Sequence, residues 1–338
     1  MEKLKQLCSL NGTSGRENAV RNYIINEIKD YADIKVDALG NVIAFVKGEN
    51  KAKRTVMADA HMDEVGIIVT YITEGGMLKF ATVGGINTSV LLARRVVFEN
   101  GTIGVISTKP VHMLSSEEKE KMPDKDALYI DIGARSFSEA AAKVSLGDTA
   151  VFDSEFDELG ELIISKALDD RAGCWALIEI IKSKPKYDFY ASYSVQEEVG
   201  AGAKTVAYSV APDFAIVVEA TTAADLLDVS DDKKVCKVGE GAVISFMDKG
   251  TLYDKELYDF ALKIASDNNI KCQAKSFVAG GNNAAGIHQS KEGVRTVAIS
   301  VPCRYIHSAS NVASFNDVKS VRDLTSVMVE ALASGELL

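Results

Sequence analysis

The strongest constraint on the fold is a change of periodicity along the chain. After Asp169, helix-period and strand-like segments alternate: 172–182 reads as helix, 187–195 as strand, 203–208 as the start of a helix and 214–218 as strand. The alternation continues with helix at 256–267, strand at 295–301 and a closing helix at 315–333. Such a pattern favours helices layered on a sheet. Residues 1 to about 30 read mostly as helix, with Val20, Tyr23, Ile24 and Ile28 at helical spacing after Thr13-Ser14-Gly15. Runs 34–37 and 42–46 flank Leu39-Gly40-Asn41 as a hairpin, and 55–58 and 65–69 read as further strands. Between about 70 and 160 the texture differs. Gly75-Gly76, Gly84-Gly85, Asn100-Gly101 and Gly147-Asp148 punctuate short strands, with one helical stretch near 136–143. We therefore expect an α/β fold with two parts. A layered α/β domain with a mixed sheet is built discontinuously from residues 1–69 and 161–338, and a smaller β-rich domain is inserted over 70–160.

Composition narrows the classes of function. Acidic residues outnumber basic ones 48 to 38, a formal net charge of −10, which is the wrong sign for a chain that neutralises phosphates. No apolar stretch approaches the roughly 18 residues a membrane span needs. The start, Met1-Glu2-Lys3-Leu4-Lys5-Gln6, enters a mixed-charge helical pattern without a signal-peptide core. The five cysteines are scattered and form no CxxC pair, so neither a disulfide framework nor a thiolate zinc site is indicated. The expectation is a cytoplasmic protein with neither nucleic acid nor membrane as partner.

Chemistry is concentrated in short polar blocks that follow apolar strands. Of the four histidines, His61 sits in Asp59-Ala60-His61-Met62-Asp63-Glu64 and His307 follows Tyr305-Ile306. Asp63 is placed to hydrogen-bond the His61 ring and fix its tautomer, as carboxylates do behind metal-bound imidazoles. Asp169-Asp170-Arg171 opens a helix, Glu197-Glu198 ends a strand before Val199-Gly200-Ala201-Gly202, and Glu219 ends the run 214–218. Ligand sites of open α/β sheets lie at the carboxyl ends of strands. Carboxylates converging there repel one another unless cations neutralise them. Two imidazoles with several carboxylates and no thiolate suit a hydrolytic zinc, cobalt or manganese centre. Either of the adjacent aspartates could be a ligand, but adjacent residues rarely point into one site equally, and Asp170 is expected to support the loop or cap the helix. His112, His288, Trp175, Cys174 and Cys303 read as surface or packing residues. No Gly-x-Ser-x-Gly elbow accompanies Ser308, and no Walker-type lysine follows Gly280-Gly281.

The blocks His61-Met62-Asp63-Glu64-Val65-Gly66, 166–173, Gln196-Glu197-Glu198-Val199-Gly200 and Arg304-Tyr305-Ile306-His307-Ser308 together resemble the deblocking and glutamyl aminopeptidases. These are dinuclear metallo-aminopeptidases with a zinc-peptidase-like fold and hollow tetrahedral assemblies, some carrying an older endoglucanase or cellulase label. Ser14-Gly15-Arg16-Glu17 and Asp37-Ala38-Leu39-Gly40-Asn41 resemble the family's N-terminal blocks, so the likeness spans almost the whole chain. The resemblance implies two divalent ions per subunit (Zn, Co or Mn) bridged by Asp169. His61 and Glu219 complete one set of ligands, and Glu198 and His307 the other. It makes Glu197 the general base and Asp63 the group that orients His61. It further implies peptide substrates, removal of N-terminal residues, and a homo-oligomer, a dodecamer in the family's pattern, with the insertion serving as lid and assembly surface. Two positions depart from that pattern: Glu219 stands where many relatives have Asp, and Asn282-Asn283 where many have Thr-Asp. The rival expectations are a metal-independent glycosidase, which needs two carboxylates flanking a sugar, and a metal-stabilised binding protein without catalysis. The acidic surface gives a faint bias against acidic peptides, and no block selects an N-terminal residue.

Overall fold

The structure, a computed structural model, describes residues 1–337. The chain opens with helices α1 (Glu2–Ser9) and α2 (Asn18–Ile28), followed by strands β1 (Asp33–Val36), β2 (Val42–Val46) and β3 (Val56–His61). Six strands then form a closed barrel: β4 (Gly66–Ile72), β5 (Leu78–Val83), β6 (Arg95–Phe98), β7 (Ile103–Ser107), β8 (Tyr129–Asp131) and β9 (Thr149–Phe152), in the order β4-β5-β8-β7-β6-β9. Short helices α3 (Ser116–Lys119) and α4 (Phe137–Ala141) decorate it. Val69, Leu78, Phe98, Ile106 and Ile130 fill its own apolar core, and closure leaves no free edges.

The chain then returns to the large sheet through β10 (Asp157–Leu159), β11 (Leu162–Ser165), α5 (Leu168–Lys182), β12 (Phe189–Ser194), α6 (Ala203–Val210) and β13 (Phe214–Thr222). It finishes with β14 (Ala242–Ile244), α7 (Lys255–Asp267), β15 (Cys272–Ala274), α8 (Ala284–Ile287), β16 (Arg295–Arg304), β17 (Asn311–Ser314) and α9 (Phe315–Ser334). The eleven-stranded sheet runs β1-β2-β12-β3-β13-β16-β17-β11-β10, with β14 and β15 branching from β16. Its centre, β12-β3-β13-β16, is parallel and its flanks are antiparallel, so the sheet is mixed as the alternation predicts.

Every residue of β3 is buried, the mark of a central strand covered on both faces. On one face, Ala58, Ala60, Val218 and Ile299 pack with α1, α5 and α9; on the other, Met57, Ala215, Val217 and Ala298 pack with α6 and α8. Trp175 lies in the first layer, its ring centroid 5.2 Å from that of Phe315, a packing role as expected. All five cysteines are free. Among the described residues no helix is long and apolar enough to cross a membrane.

Parallel register decides what meets at the carboxyl ends. Ser194 of β12 pairs with His61, and Val217 of β13 pairs with Asp59, so Glu219 lies level with His61 one strand away. The turn after β12 carries Glu197 and Glu198, and the connection between β16 and β17 carries His307. Side chains separated by more than 240 residues are thereby delivered to one edge.

Candidate metal centre

His61 closes β3 and is 1% exposed. Its Nδ1 lies 3.2 Å from both the carbonyl oxygen and Oδ1 of Asp63. Both are acceptors, so Nδ1 carries the proton and the Nε2 lone pair is left facing the site. That Nε2 is 3.3 Å from Asp169 Oδ1 and 3.6 Å from Glu219 Oε2. His307 repeats the arrangement: its Nδ1 donates to the Gly85 carbonyl at 2.9 Å, and its Nε2 is 3.2 Å from Glu198 Oε2 and 3.6 Å from Asp169 Oδ2. Asp169 thus turns one carboxylate oxygen toward each imidazole.

Asp63 is wholly buried. Its Oδ1 accepts the Glu197 N–H at 3.0 Å, and its Oδ2 accepts the Glu198 N–H at 3.1 Å and the Ser14 hydroxyl at 2.6 Å. Burial pushes this carboxyl up, but His61 and these donors hold it below the ordinary carboxylate range. The turn it grips is also held from the N-terminal blocks. Glu17 Oε1 accepts from the Gln196 N–H at 3.2 Å, and Asn41 Oδ1 from the Val195 N–H at 2.8 Å. Sequence reasoning identified those blocks by likeness without seeing this role. The signal was there, since Asp37 and Asn41 bracket a tight turn and have side chains suited to binding main-chain groups.

Asp170 is fully buried, but its carboxylate is committed elsewhere. One oxygen accepts the His61 N–H at 3.2 Å and the other the Gly173 N–H at 2.9 Å. A Cβ at Gly173 would stand 2.5 Å from those oxygens, so the glycine is what lets the aspartate cap α5 while bracing β3.

The electrostatics point to missing positive charge. Burial together with the charge of Asp169 pushes Glu197 up to about 7 and Glu198 up to about 8, and burial drives Glu219 well above its ordinary range. Glu219 Oε1 is buried with no hydrogen-bond partner, a costly arrangement for a carboxylate unless it ligates a cation. Two groups of ligating atoms lie within 4.8 Å of one another: His61 with Asp170 and Glu219, and His61 with Asp169 and Glu198. Two bare imidazole nitrogens and an orphaned carboxylate oxygen fit divalent metal ions, with the donor set of a hydrolytic rather than a thiolate centre. By contrast, the Glu197 carboxylate accepts no hydrogen bond from any described residue and belongs to neither group.

Beside these residues opens a cavity of about 290 Å³, bounded by Glu197, Glu219 and His307 on one side and by Lys275, Gly280 and Asn282 on the other. His112 and His288 lie outside it, as expected. Lys275 was not singled out by the sequence, where it is one lysine among many.

An α/β sheet that gathers imidazoles and carboxylates at its carboxyl edge, beside a cavity large enough for a side chain, defines a metal-dependent hydrolase. A family model described as M42 glutamyl aminopeptidase matches residues 40–324, and the chain belongs to that family, whose members are aminopeptidases. The lysyl aminopeptidase of Pyrococcus furiosus is 33% identical over 344 residues, covering 98% of this chain and 97% of the relative. Among solved structures, the aminopeptidase APDkam598 of the archaeon Desulfurococcus kamchatkensis superposes with a TM-score of 0.92 at 35% identity, over 97% of this chain and 94% of that one. The TET1 peptidase of Pyrococcus horikoshii, which can assemble into a tetrahedron or a large octahedral shell, superposes with a TM-score of 0.85 at 37% identity, over 98% of each chain.

Proposed function

We propose that this aminopeptidase works with divalent cations that His61, Asp169, Glu198, Glu219 and His307 would hold, Asp169 facing both imidazoles, with Glu197 as general base. The observation that carries the reading is a contrast between neighbours. Glu198 faces the His307 ring at 3.2 Å, whereas Glu197 is aimed at the same site with its carboxylate unengaged. A ligand must be held, while a base must be free to take and return a proton. Zinc, cobalt or manganese would each suit the donor set, and when bound would supply Lewis acidity toward a water and the substrate carbonyl.

The protein's own groups then divide the work. Asp63 fixes the His61 tautomer and, through the Glu197 and Glu198 N–H groups, the turn that carries the base. Glu197 takes the proton of the attacking water and delivers it to the departing amine. The substrate's free α-amine binds among these carboxylates, which restricts cleavage to the first peptide bond.

Removal of metal tests this reading against glycoside hydrolysis, which needs only paired carboxylic acids. Dialysis against a chelator should abolish release of p-nitroaniline from aminoacyl-p-nitroanilides, and zinc, cobalt or manganese should restore it. Activity that survives chelation would contradict the proposal.

We further propose a cytoplasmic homo-oligomer in which the barrel domain supplies lid and assembly surface. Val111, Met113 and Met122 are exposed on the connection between β7 and β8, and exposed apolar side chains of this kind are better covered by another subunit than by water. Names within the family differ in specificity, lysyl for one relative and glutamyl for the family itself.

A further inference from the structure

The two imidazoles of the metal centre rest on different foundations. His61 ends a buried central strand and is braced by Asp63 from its own segment. His307 lies in the turn between β16 and β17 with its side chain 31% exposed. Both it and Tyr305 have left-handed backbone, φ +60° and +59°, which residues other than glycine keep only where their surroundings fix it. Asn311 fixes the backbone of the turn, its Nδ2 donating to the carbonyls of Tyr305 and Ser308 at 3.0 and 3.2 Å. The Ser308 hydroxyl adds a bond to the Tyr305 carbonyl at 2.6 Å. These contacts stop at the main chain. The ring itself is held from the barrel, by the Gly85 carbonyl 2.9 Å from Nδ1.

Gly84 and Gly85 form the turn that leaves β5. Gly66 pairs with Val83, so this turn starts beside the chain that leaves His61. Gly84 has φ +82°, and a Cβ there would stand 2.8 Å from Val65 Cγ1 and 3.3 Å from Glu198 Cβ. A Cβ at Gly85 would stand 3.4 Å from His307 Nδ1. The Ile86 N–H donates to the Gly84 carbonyl at 3.1 Å, which tightens the turn around Gly85. Ile86 is buried in the barrel core together with Val65 and Ala309. Ala309 follows His307 by two residues, so part of the histidine's own turn is seated in the barrel.

We propose that the Gly84-Gly85 turn is a positioning element of the metal centre: through the Gly85 carbonyl the barrel sets the ring of His307, and with it the Nε2 lone pair that faces Glu198 and Asp169. The inference rests on the reading of His307 as a metal ligand. An acceptor behind Nδ1 fixes the tautomer and the ring plane of a ligating histidine, and its loss costs metal affinity although no bond to the ion is touched. A barrel acting solely as lid or assembly surface would need no such contact. Because the acceptor is a main-chain carbonyl, the device depends on space. Glycine lets the turn come close enough to reach the ring, and a branched side chain at position 85 would push across the 3.4 Å gap into the imidazole. The sheet carries His61, Asp169, Glu198 and Glu219 by itself, whereas His307 is set for binding by the seated barrel.

The test measures cobalt binding to the full chain, by competition with a chromophoric chelator, for Gly85→Val, His307→Ala and the variant carrying both. Gly75→Val is the matched control, at a barrel turn where an added Cβ meets open space. Gly85→Val should weaken cobalt binding by about 10–100-fold, the scale on which supports behind metal-bound histidines act. Gly75→Val should stay within about twofold of the wild type, the margin of independent sites. The decisive comparison is the cycle. In the His307→Ala background Gly85→Val should cost no further affinity, because the turn acts through that ring. A change that merely loosened the fold would cost the same factor in both backgrounds. Melting of the metal-free variants identifies any that misfold, and Gly85→Ala, with a smaller side chain against the ring, should then show a smaller loss with the same dependence on His307. Unchanged cobalt affinity in Gly85→Val and Gly85→Ala, or an equal loss with and without His307, would overturn the inference while leaving the metal centre intact. Should His307→Ala alone bind cobalt as tightly as the wild type, His307 would leave the metal centre and the inference would fall with that reading.

Discussion

Asp63 joins His61 to Glu197 through a single carboxylate oxygen, which lies 3.2 Å from His61 Nδ1 and accepts the Glu197 N–H at 3.0 Å. The orientation of an imidazole on one strand end and the position of a carboxylate on the next are therefore one structural fact. Asp63→Asn keeps the shape but replaces an acceptor with an amide that donates on one side. Metal affinity should fall by about 10–100-fold, the usual effect of losing the group behind a metal-bound histidine. Competition against a chromophoric chelator would measure it, and unchanged affinity would separate Asp63 from the site.

Replacing the proposed base should leave the metals in place. Glu197→Gln is expected to lower kcat by roughly 10²–10⁴-fold, the usual scale of general acid–base catalysis, with metal content unchanged by elemental analysis. Burial and the charge of Asp169 push Glu197 up to about 7, and bound cations favour its carboxylate, so the acid limb of kcat/KM should fall at a pH below 7. The sign is fixed because the base works only when deprotonated, so activity is lost as pH falls through its pKa. Full activity of the Gln variant would remove Glu197 from its role.

Much of this was legible in the sequence, and what was not has a physical cause. The alternation after Asp169 correctly gave a layered α/β core, because each helix or strand declares its period locally. The metal-site blocks stood out because polar residues crowded the ends of apolar runs. Closure of the barrel was not readable: β4 pairs with β9 through Ile67 and Ala150, and such a long-range register leaves no mark in either segment. The strand carrying Glu219 runs on to Thr222 in step with Cys303 of β16, farther than the apolar run 214–218 indicates, since pairing rather than hydrophobicity sustains its end. Lys275 was hidden because what distinguishes it is burial without a carboxylate partner, which belongs to the fold.

Beneath the site a buried ion cluster secures the N-terminal segment. Glu64 accepts from Lys166 Nζ at 2.7 Å, from Arg171 Nη2 at 3.2 Å and from the Gly12 N–H at 3.1 Å, while Arg171 also donates to the carbonyls of Leu7, Leu10 and Met62. Glu64→Gln would leave two buried cations without a counter-charge and should destabilise the fold by about 3–5 kcal/mol. Urea unfolding followed through the fluorescence of Trp175, the single tryptophan, is the measurement. A loss below about 1 kcal/mol, the size of an ordinary substitution, would show the cluster to be dispensable.

Assembly is tested by light scattering on the metal-loaded protein. The proposal expects a mass many times that of one chain. Replacing Val111 and Met113, exposed at 71% and 59%, with Ser should shift the population toward smaller species. A wild-type chain that remains monomeric across the concentration range would contradict it.

The central claim is the joint grip of five side chains on a pair of ions, and a cobalt-loaded crystal measured at the cobalt absorption edge tests it most directly. Two anomalous peaks about 3.5–4 Å apart are expected, both against Asp169, one also touching His61 and Glu219 and the other Glu198 and His307. A single peak, or peaks that leave Glu219 and His307 without contact, would contradict it.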